Sequence, residues 1–148
     1  MTIGADAIVV GGGIHGCSTA LHLCLAGIKP VLIEKDYAGR HASGVNAGGV
    51  RQLARHIPEI PLSIRSMGIW ERISELVDDD CSFESHGQVL VAENDDELAT
   101  CRARVAELNA LGFTHEELIG VAELRRLVPA VADSCPGGVV SRRDGAAN

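Results

Sequence analysis

The sequence predicts an α/β fold that opens on a strand, helix, strand unit and continues into the start of a separate α+β region. Three observations predict it. An apolar run from Ile3 to Val10, β-branched at its end, suits a strand covered on both faces, as in a parallel sheet. Glycines follow at once, in Gly11-Gly12-Gly13-Ile14-His15-Gly16, and open a segment of helical spacing. A second β-branched run, Val31-Leu32-Ile33, then ends in the carboxylate of Glu34.

The elements follow in order. Ile14, Cys17, Ala20, Leu21 and Leu25 define one face of the first helix, and Gly27 is placed to close it. After Lys29-Pro30 the second strand completes a βαβ unit. Residues 36–57 are rich in Gly, Ser, Ala and Asn and read as an extended functional loop that later turns helical. Ile60, Ile64, Met67, Trp70, Ile73 and Val77 recur every three or four positions, which predicts one amphipathic helix from Pro58 to Val77. Asp78-Asp79-Asp80 reads as a solvated loop, since no further oxygen ligands follow at metal-loop spacing, and no metal site is predicted. Gln88 to Glu93 reads as a strand. Asn94-Asp95-Asp96-Glu97 then supplies a cap and first-turn acids for a helix ending near Gly112. A short helix from Val121 to Val128 stops before Pro129, and Pro136 to Ser141 reads as one more strand. The last residues, Ser141 to Asn148, have a turn-like composition with no predicted closing helix or strand, and the chain is expected to be the N-terminal part of a longer, incomplete fold.

Composition excludes several classes. With 13 Lys+Arg against 20 Asp+Glu the formal charge is −7, opposite to the basic surplus that neutralises nucleic-acid phosphates. Only Trp70, Tyr37, Phe83 and Phe113 are aromatic, so the core must be aliphatic and base-stacking platforms are absent. Any bound anion must be held by backbone or by a few side chains. The N-terminal run has no preceding positive charge and no cleavage site, and no stretch reaches the ~18 apolar residues of a membrane span, so a cytoplasmic protein is expected. Five cysteines without a C-x-x-C fit neither a disulfide framework nor a zinc site and are expected to be reduced and mostly buried.

Gly11-x-Gly13-x-x-Gly16 gains specificity from its setting. It lies between a predicted strand and a predicted helix, and Glu34 stands 23 positions after Gly11, close to the ~20 expected of a ribose-binding acid. Gly11 permits the tight turn, Gly13 lets backbone approach a pyrophosphate, and Gly16 lets helix and strand pack closely. Helix amides and macrodipole then hold the phosphates without a basic surface. This is the Rossmann-like FAD/NAD(P)-binding pattern, and Glu34 would repel a 2′-phosphate, favouring FAD or NAD over NADP.

These residues carry a family resemblance. IVVGGGIHGCSTALHLCLAG followed by VLIEKD resembles the start of the FAD-dependent oxidoreductases of the D-amino acid oxidase class, the group containing glycine oxidase and sarcosine oxidase. Arg40-His41-Ala42-Ser43-Gly44-Val45-Asn46-Ala47-Gly48-Gly49-Val50-Arg51 resembles that family's second flavin segment, and Arg143-Asp144-Gly145 a later landmark before the chain re-enters the cofactor domain. The resemblance implies FAD as cofactor and oxidation of the C–N bond of an amino acid or secondary amine. It divides the chain into residues 1–57 as part of the FAD domain, 58–141 as the start of a substrate or cap domain, and 142–148 as a return to the FAD domain. A 2-hydroxy-acid oxidoreductase, an NAD-dependent dehydrogenase domain and an inactive fragment are the alternatives.

The implied cofactor residues are Gly11, Gly12, Gly13, Ile14, His15, Gly16, Glu34, Lys35, Arg40, Ser43, Asn46, Ala47, Gly48 and Gly49. His15 is expected to contribute its amide only, and Cys17 and Cys24 to be packing residues. Ser43 and Arg40 are assigned to the pyrophosphate or ribitol. Arg51, with Arg55 on the same face if the segment is helical, would reach the flavin or a substrate carboxylate through a two-pronged guanidinium contact. His86, His115, Glu116 and Glu117 read as exposed loop or cap residues. No general base stands out, which suits chemistry that the cofactor supplies. A homo- or hetero-oligomer is compatible with this reading.

Overall fold

A computed structural model describes residues 4–148, so the Ile3 start of the first predicted strand lies outside the described residues. The chain divides between Ala47 and Gly48 into two compact units.

The first unit contains β1 (Ala7–Val10), α1 (Ile14–Leu25) and β2 (Pro30–Ile33). The strands pair in parallel, Ala7 opposite Pro30 and Val10 opposite Ile33, as a βαβ crossover requires. Helix α1 ends in a Schellman cap, in which the Gly27 amide donates to the Cys24 carbonyl (2.9 Å) and the Ile28 amide to the Leu23 carbonyl (3.0 Å). Gly27 closes the helix as predicted. The expected inward face is only partly covered: Ala20 and Leu21 are half-buried, whereas Ile14, Cys17, Cys24 and Leu25 are exposed. A two-stranded sheet is too narrow to cover a whole helix face, so Cys17 and Cys24 do not act as packing residues within this unit. Ile8 and Val10 are 67% and 82% exposed, an unusual state for strand residues of this type.

The second unit is built on a three-stranded antiparallel sheet ordered β4-β6-β5, from β4 (Gln88–Ala92), β5 (Glu117–Gly120) and β6 (Gly137–Ser141). Helix α4 (Asp95–Ala110) covers one face and α5 (Val121–Leu127) the other. Successive residues of the central strand feed opposite sides. Val139 packs with Leu53, Ala92 and Cys101, and Val140 with Ile119, Leu124 and Cys135. Cys101 and Cys135 are therefore buried, but Cys17 and Cys24 are exposed and Cys81 half-buried, so the thiols are not mostly buried as expected.

Several elements differ from expectation. The single helix predicted from Pro58 to Val77 is a 3₁₀ turn, Ile57–Glu59, followed by α2 (Ile60–Trp70) and a separate α3 (Ile73–Val77). The backbone leaves helical geometry at Arg72 (φ −128°, ψ 27°), one residue after Glu71, which Arg143 grips with two hydrogen bonds of 2.7 and 2.6 Å. The supposed loop contains β3 (Gly49–Val50), and the end of the chain contains β7 (Gly145–Ala146). These two short strands pair antiparallel, so residues after Ser141 do include a closing strand. Strand β5, at Glu117-Leu118-Ile119-Gly120, was not expected, and Glu116 just before it is buried rather than exposed, as is the His115 side chain.

Candidate functional site

Each unit holds one candidate site. In the first, Gly11 (φ 101°) turns the chain out of β1. Gly16 faces it so closely that a Cβ there would stand 1.8 Å from the Gly11 carbonyl oxygen, so only glycine permits this helix to start against this strand. Glu34, at the end of β2, reaches back to the turn: the Gly12 amide donates to its Oε2 (2.6 Å) and the Asp36 amide to its Oε1 (3.1 Å). These amides, that of Gly12 foremost, hold the carboxyl below the usual carboxylate range. A carboxylate offers about four acceptor positions, so capacity remains for a ligand's hydroxyls.

The loop after β2 folds over the same turn. The Gly39 amide donates to the Gly12 carbonyl (2.9 Å), and the Ile14 amide donates to Ser43 Oγ (3.0 Å) across 29 positions. Asn46 Nδ2 donates to the Ser43 carbonyl. Gly13, Glu34, Gly39, Arg40, His41, Ala42 and Ser43 together line a cavity of about 210 Å³. Arg40 pairs with Asp36 (3.4 Å) and lies over the Tyr37 ring. His15 is exposed and contributes its carbonyl to Thr19 Oγ1 (2.7 Å), and Lys35, Asn46 and Ala47 are exposed. The structure thus brings the glycine turn, Glu34, Arg40 and Ser43 together around one cavity.

This donor set fits a dinucleotide pyrophosphate. Gly13, at the N-cap of α1, has no side chain to cap it and the first turn holds no acid; Ser43 takes the Ile14 amide, and the next amides, of His15 and Gly16, are left with the positive end of the dipole for an anion. A Cβ on Gly13 would stand 2.9 Å from Ser43 Oγ, so the cradle is open only because that residue is glycine.

In the second unit a cavity of about 350 Å³ is lined by residues 49–51, Arg55, Glu59 and the α2 side chains Leu62, Ser63, Ser66, Met67 and Trp70. Gly48 and Gly49 lie at the start of β3, where the Ala147 amide donates to the Gly48 carbonyl (2.9 Å) and Gly49 pairs with Ala146. Arg51 and Arg55 share the cavity although residues 51–56 form a turn and not a helix.

Two buried carboxylates hold that turn, and sequence reasoning assigned neither. Asp144, with no exposed surface, accepts the Gln52 amide (2.8 Å), the Leu53 amide (2.9 Å) and Ser141 Oγ (2.8 Å). Glu116 accepts the Ala54 amide (2.8 Å), fixing a left-handed backbone at Ala54 (φ 58°). Arg104 meets Glu116 with two hydrogen bonds of 2.8 and 2.7 Å and also donates to the Arg55 carbonyl (2.9 Å). The family resemblance pointed at Arg143-Asp144-Gly145 without revealing what Asp144 does, and Glu116 looked like one acid in an exposed pair.

The sequence of residues 6–148 matches the family of FAD dependent oxidoreductases known as DAO. The chain belongs to this family, and FAD is the family's cofactor. It is 33% identical to gamma-glutamylputrescine oxidoreductase of Escherichia coli K12 over 159 aligned residues, which cover 97% of this chain and 36% of that protein. It is 29% identical over 126 residues to sarcosine oxidase subunit beta of Rhodobacter capsulatus, covering 84% of this chain and 30% of that one. The chain therefore spans about a third of the length of these relatives. In fold it superimposes on L-amino acid deaminase from Proteus myxofaciens with a TM-score of 0.89 at 18% identity, covering 99% of this chain and 34% of that structure. Among the described residues no helix is long and apolar enough to cross a membrane, and no group of three His, Cys, Asp or Glu could hold a metal ion.

Proposed function

We propose that this chain is the N-terminal, FAD-binding part of a flavoenzyme that oxidises the C–N bond of an amino acid or secondary amine to an imine. The acid-free start of α1, enclosed by Ser43 and Glu34, carries the cofactor half of this reading. The turn from Gly11 to Gly16 holds the pyrophosphate through the amides of Gly13, His15 and Gly16, with Ser43 and Arg40 at the pyrophosphate or ribitol, Glu34 takes the ribose hydroxyls, and Lys35 flanks the adenosine. Asn46, Ala47, Gly48 and Gly49 follow along the cofactor. When bound, FAD would supply the two-electron acceptor for the hydride lost from the carbon next to nitrogen. The protein orients the amine through Arg51, whose guanidinium suits a carboxylate.

Residues 1–57 are assigned to the FAD domain, 58–141 to the start of the substrate domain and 142–148 to the return. Pairing of β3 with β7 supports this, since it joins the first segment to the last. The similarity to a protein named as a sarcosine oxidase subunit supports a hetero-oligomer, and a cytoplasmic location is part of the same reading.

The test is anaerobic reduction of bound flavin in the full-length protein by glycine, sarcosine, proline and a 2-hydroxy acid. Bleaching of the flavin absorbance by one of the amines is expected. Reduction by the hydroxy acid alone would transfer the assignment to CH–OH oxidation, and a colourless protein that binds NAD would overturn it.

A further inference from the structure

We infer that His115 is a proton-sensitive positioning residue: once charged, its ring draws Glu116 off the Ala54 amide and loosens the turn that carries Arg51 and Arg55. The switch lies wholly within the second unit, and only its effect on a substrate rests on the reading of Arg51 above. The His115 side chain is 7% exposed, and among the described residues neither ring nitrogen has a hydrogen-bond partner. Both nitrogens are sealed inside this unit, so the two thirds of the relatives that this chain does not span could reach them only by opening it. Glu116 Oε1 lies 3.7 Å from His115 Nε2, beyond hydrogen-bond reach yet close enough to attract a charge.

Acceptor capacity decides what a proton does here. One carboxylate oxygen offers about two acceptor positions, and Glu116 Oε1 is filled by the Ala54 amide (2.8 Å) and Arg104 Nη2 (2.7 Å). A charged imidazole need move only about 1 Å to make a charge-assisted hydrogen bond to that oxygen, but it must displace one of the two donors. Arg104 is the harder to dislodge, because its Nε also donates to Oε2 (2.8 Å) and its Nη2 also to the Arg55 carbonyl (2.9 Å). The Ala54 amide is neutral and belongs to a residue held left-handed (φ 58°), which a Cβ disfavours. Ala54 therefore yields first. Among the charges that face the ring, Glu116 and Asp144 favour the imidazolium and Arg104 of α4 opposes it. Cys101, also on α4, stays an uncharged thiol, since burial above all and then Glu97 and Glu116 push its pKa up. Burial of His115 outweighs the two carboxylates and holds its pKa below 6.5. The turn is thus held above that pH and released as pH falls below it. The Gln52 and Leu53 amides stay on Asp144, which confines the release to the residues after Leu53.

Hydrogen exchange on the full-length holoenzyme tests this, read by mass spectrometry on overlapping peptides across residues 51–56 and corrected for the intrinsic pH dependence of exchange. Between about pH 7.5 and about pH 5.5 the Ala54 amide should lose roughly tenfold or more in protection, while Gln52 and Leu53 keep theirs. His115→Phe keeps a flat ring that takes no proton, and should leave Ala54 protected across the whole range. Ala54→Gly removes the left-handed strain and should move the loss down by about half a pH unit. Flavin absorbance reports that each variant has folded. Steady-state kinetics reads the consequence: the KM of the wild type relative to that of His115→Phe should rise roughly threefold or more over the same range, with the ratio of the kcat values unchanged. An Ala54 amide that keeps its protection at every pH overturns the inference, as does a loss that His115→Phe leaves in place. The expected exchange with a flat KM ratio upholds the switch and overturns instead the reading of Arg51 as the substrate's anchor.

Discussion

Single residues carry the strongest chemical claims, and Glu34 carries the first. Its carboxylate is engaged by the Gly12 and Asp36 amides, so it stands pre-aimed at the glycine turn. Glu34→Arg in the full-length protein should weaken FAD binding by about tenfold or more, read by flavin release on dilution. Equal affinity would remove Glu34 from the cofactor site. Arg51→Met should raise KM for the carboxylate-bearing substrate by roughly tenfold while the flavin stays bound, a separation that steady-state kinetics beside absorbance would show. His115 makes a different prediction. Both its ring nitrogens are buried without hydrogen-bond partners, and Glu116 Oε1 lies 3.7 Å from Nε2. Burial, the largest influence, pushes its pKa down from 6.5. The unfolded chain therefore takes up a proton near pH 6.5 that the folded chain refuses until lower pH. Stability should be full above pH 6.5 and fall as pH drops below it. His115→Gln should flatten that decline in melting temperatures measured from pH 7.5 to 5, and an unchanged slope would show that His115 charges freely in the fold. The glycine turn and Glu34 were legible because backbone geometry demands those residue types at fixed spacing. Asp144 and Glu116 were not, because a buried carboxylate bound to distant amides leaves no local pattern.

At the scale of elements, legibility followed local physics. Helix α4 was readable from its cap: Asn94 Oδ1 accepts the Glu97 amide (2.9 Å), and Glu97 Oε2 accepts the Glu93 amide (2.9 Å). Asn94→Ala should cost about 1 kcal/mol, visible as a lowered denaturant midpoint with unchanged slope. No loss of stability would mean that tertiary packing alone holds α4. The break between α2 and α3 was hidden because the apolar period runs through it while Arg143, 72 positions away, grips Glu71. Strands β3, β5 and β7 were missed or only implied because they are short, of 2, 4 and 2 residues, and gain their order from partners far along the chain. Strand β6 was visible as a compact apolar run, and it is the strand covered on both faces.

For the whole molecule, the matched relatives are about three times as long as this chain, and the first unit leaves Ile8, Val10 and Ile33 of its strands exposed. Residues 1–148 expressed alone should yield no substrate-dependent flavin reduction and should self-associate through those faces, as sedimentation and absorbance would show. A monomeric yellow product reduced by an amino acid would refute this. The hydrogen bonds from Gln52 and Leu53 to Asp144 span 92 and 91 positions. On a ribosome adding ~5–20 residues per second, the arginine-bearing turn must wait roughly 5 to 20 s for its anchor to be made. During synthesis the βαβ unit can close from purely local contacts, while the arginine-bearing turn has its side chains but not its shape. Order of assembly is thereby written into the chain: the nucleotide cradle comes first, and the pair of guanidiniums is set only once Asp144 arrives.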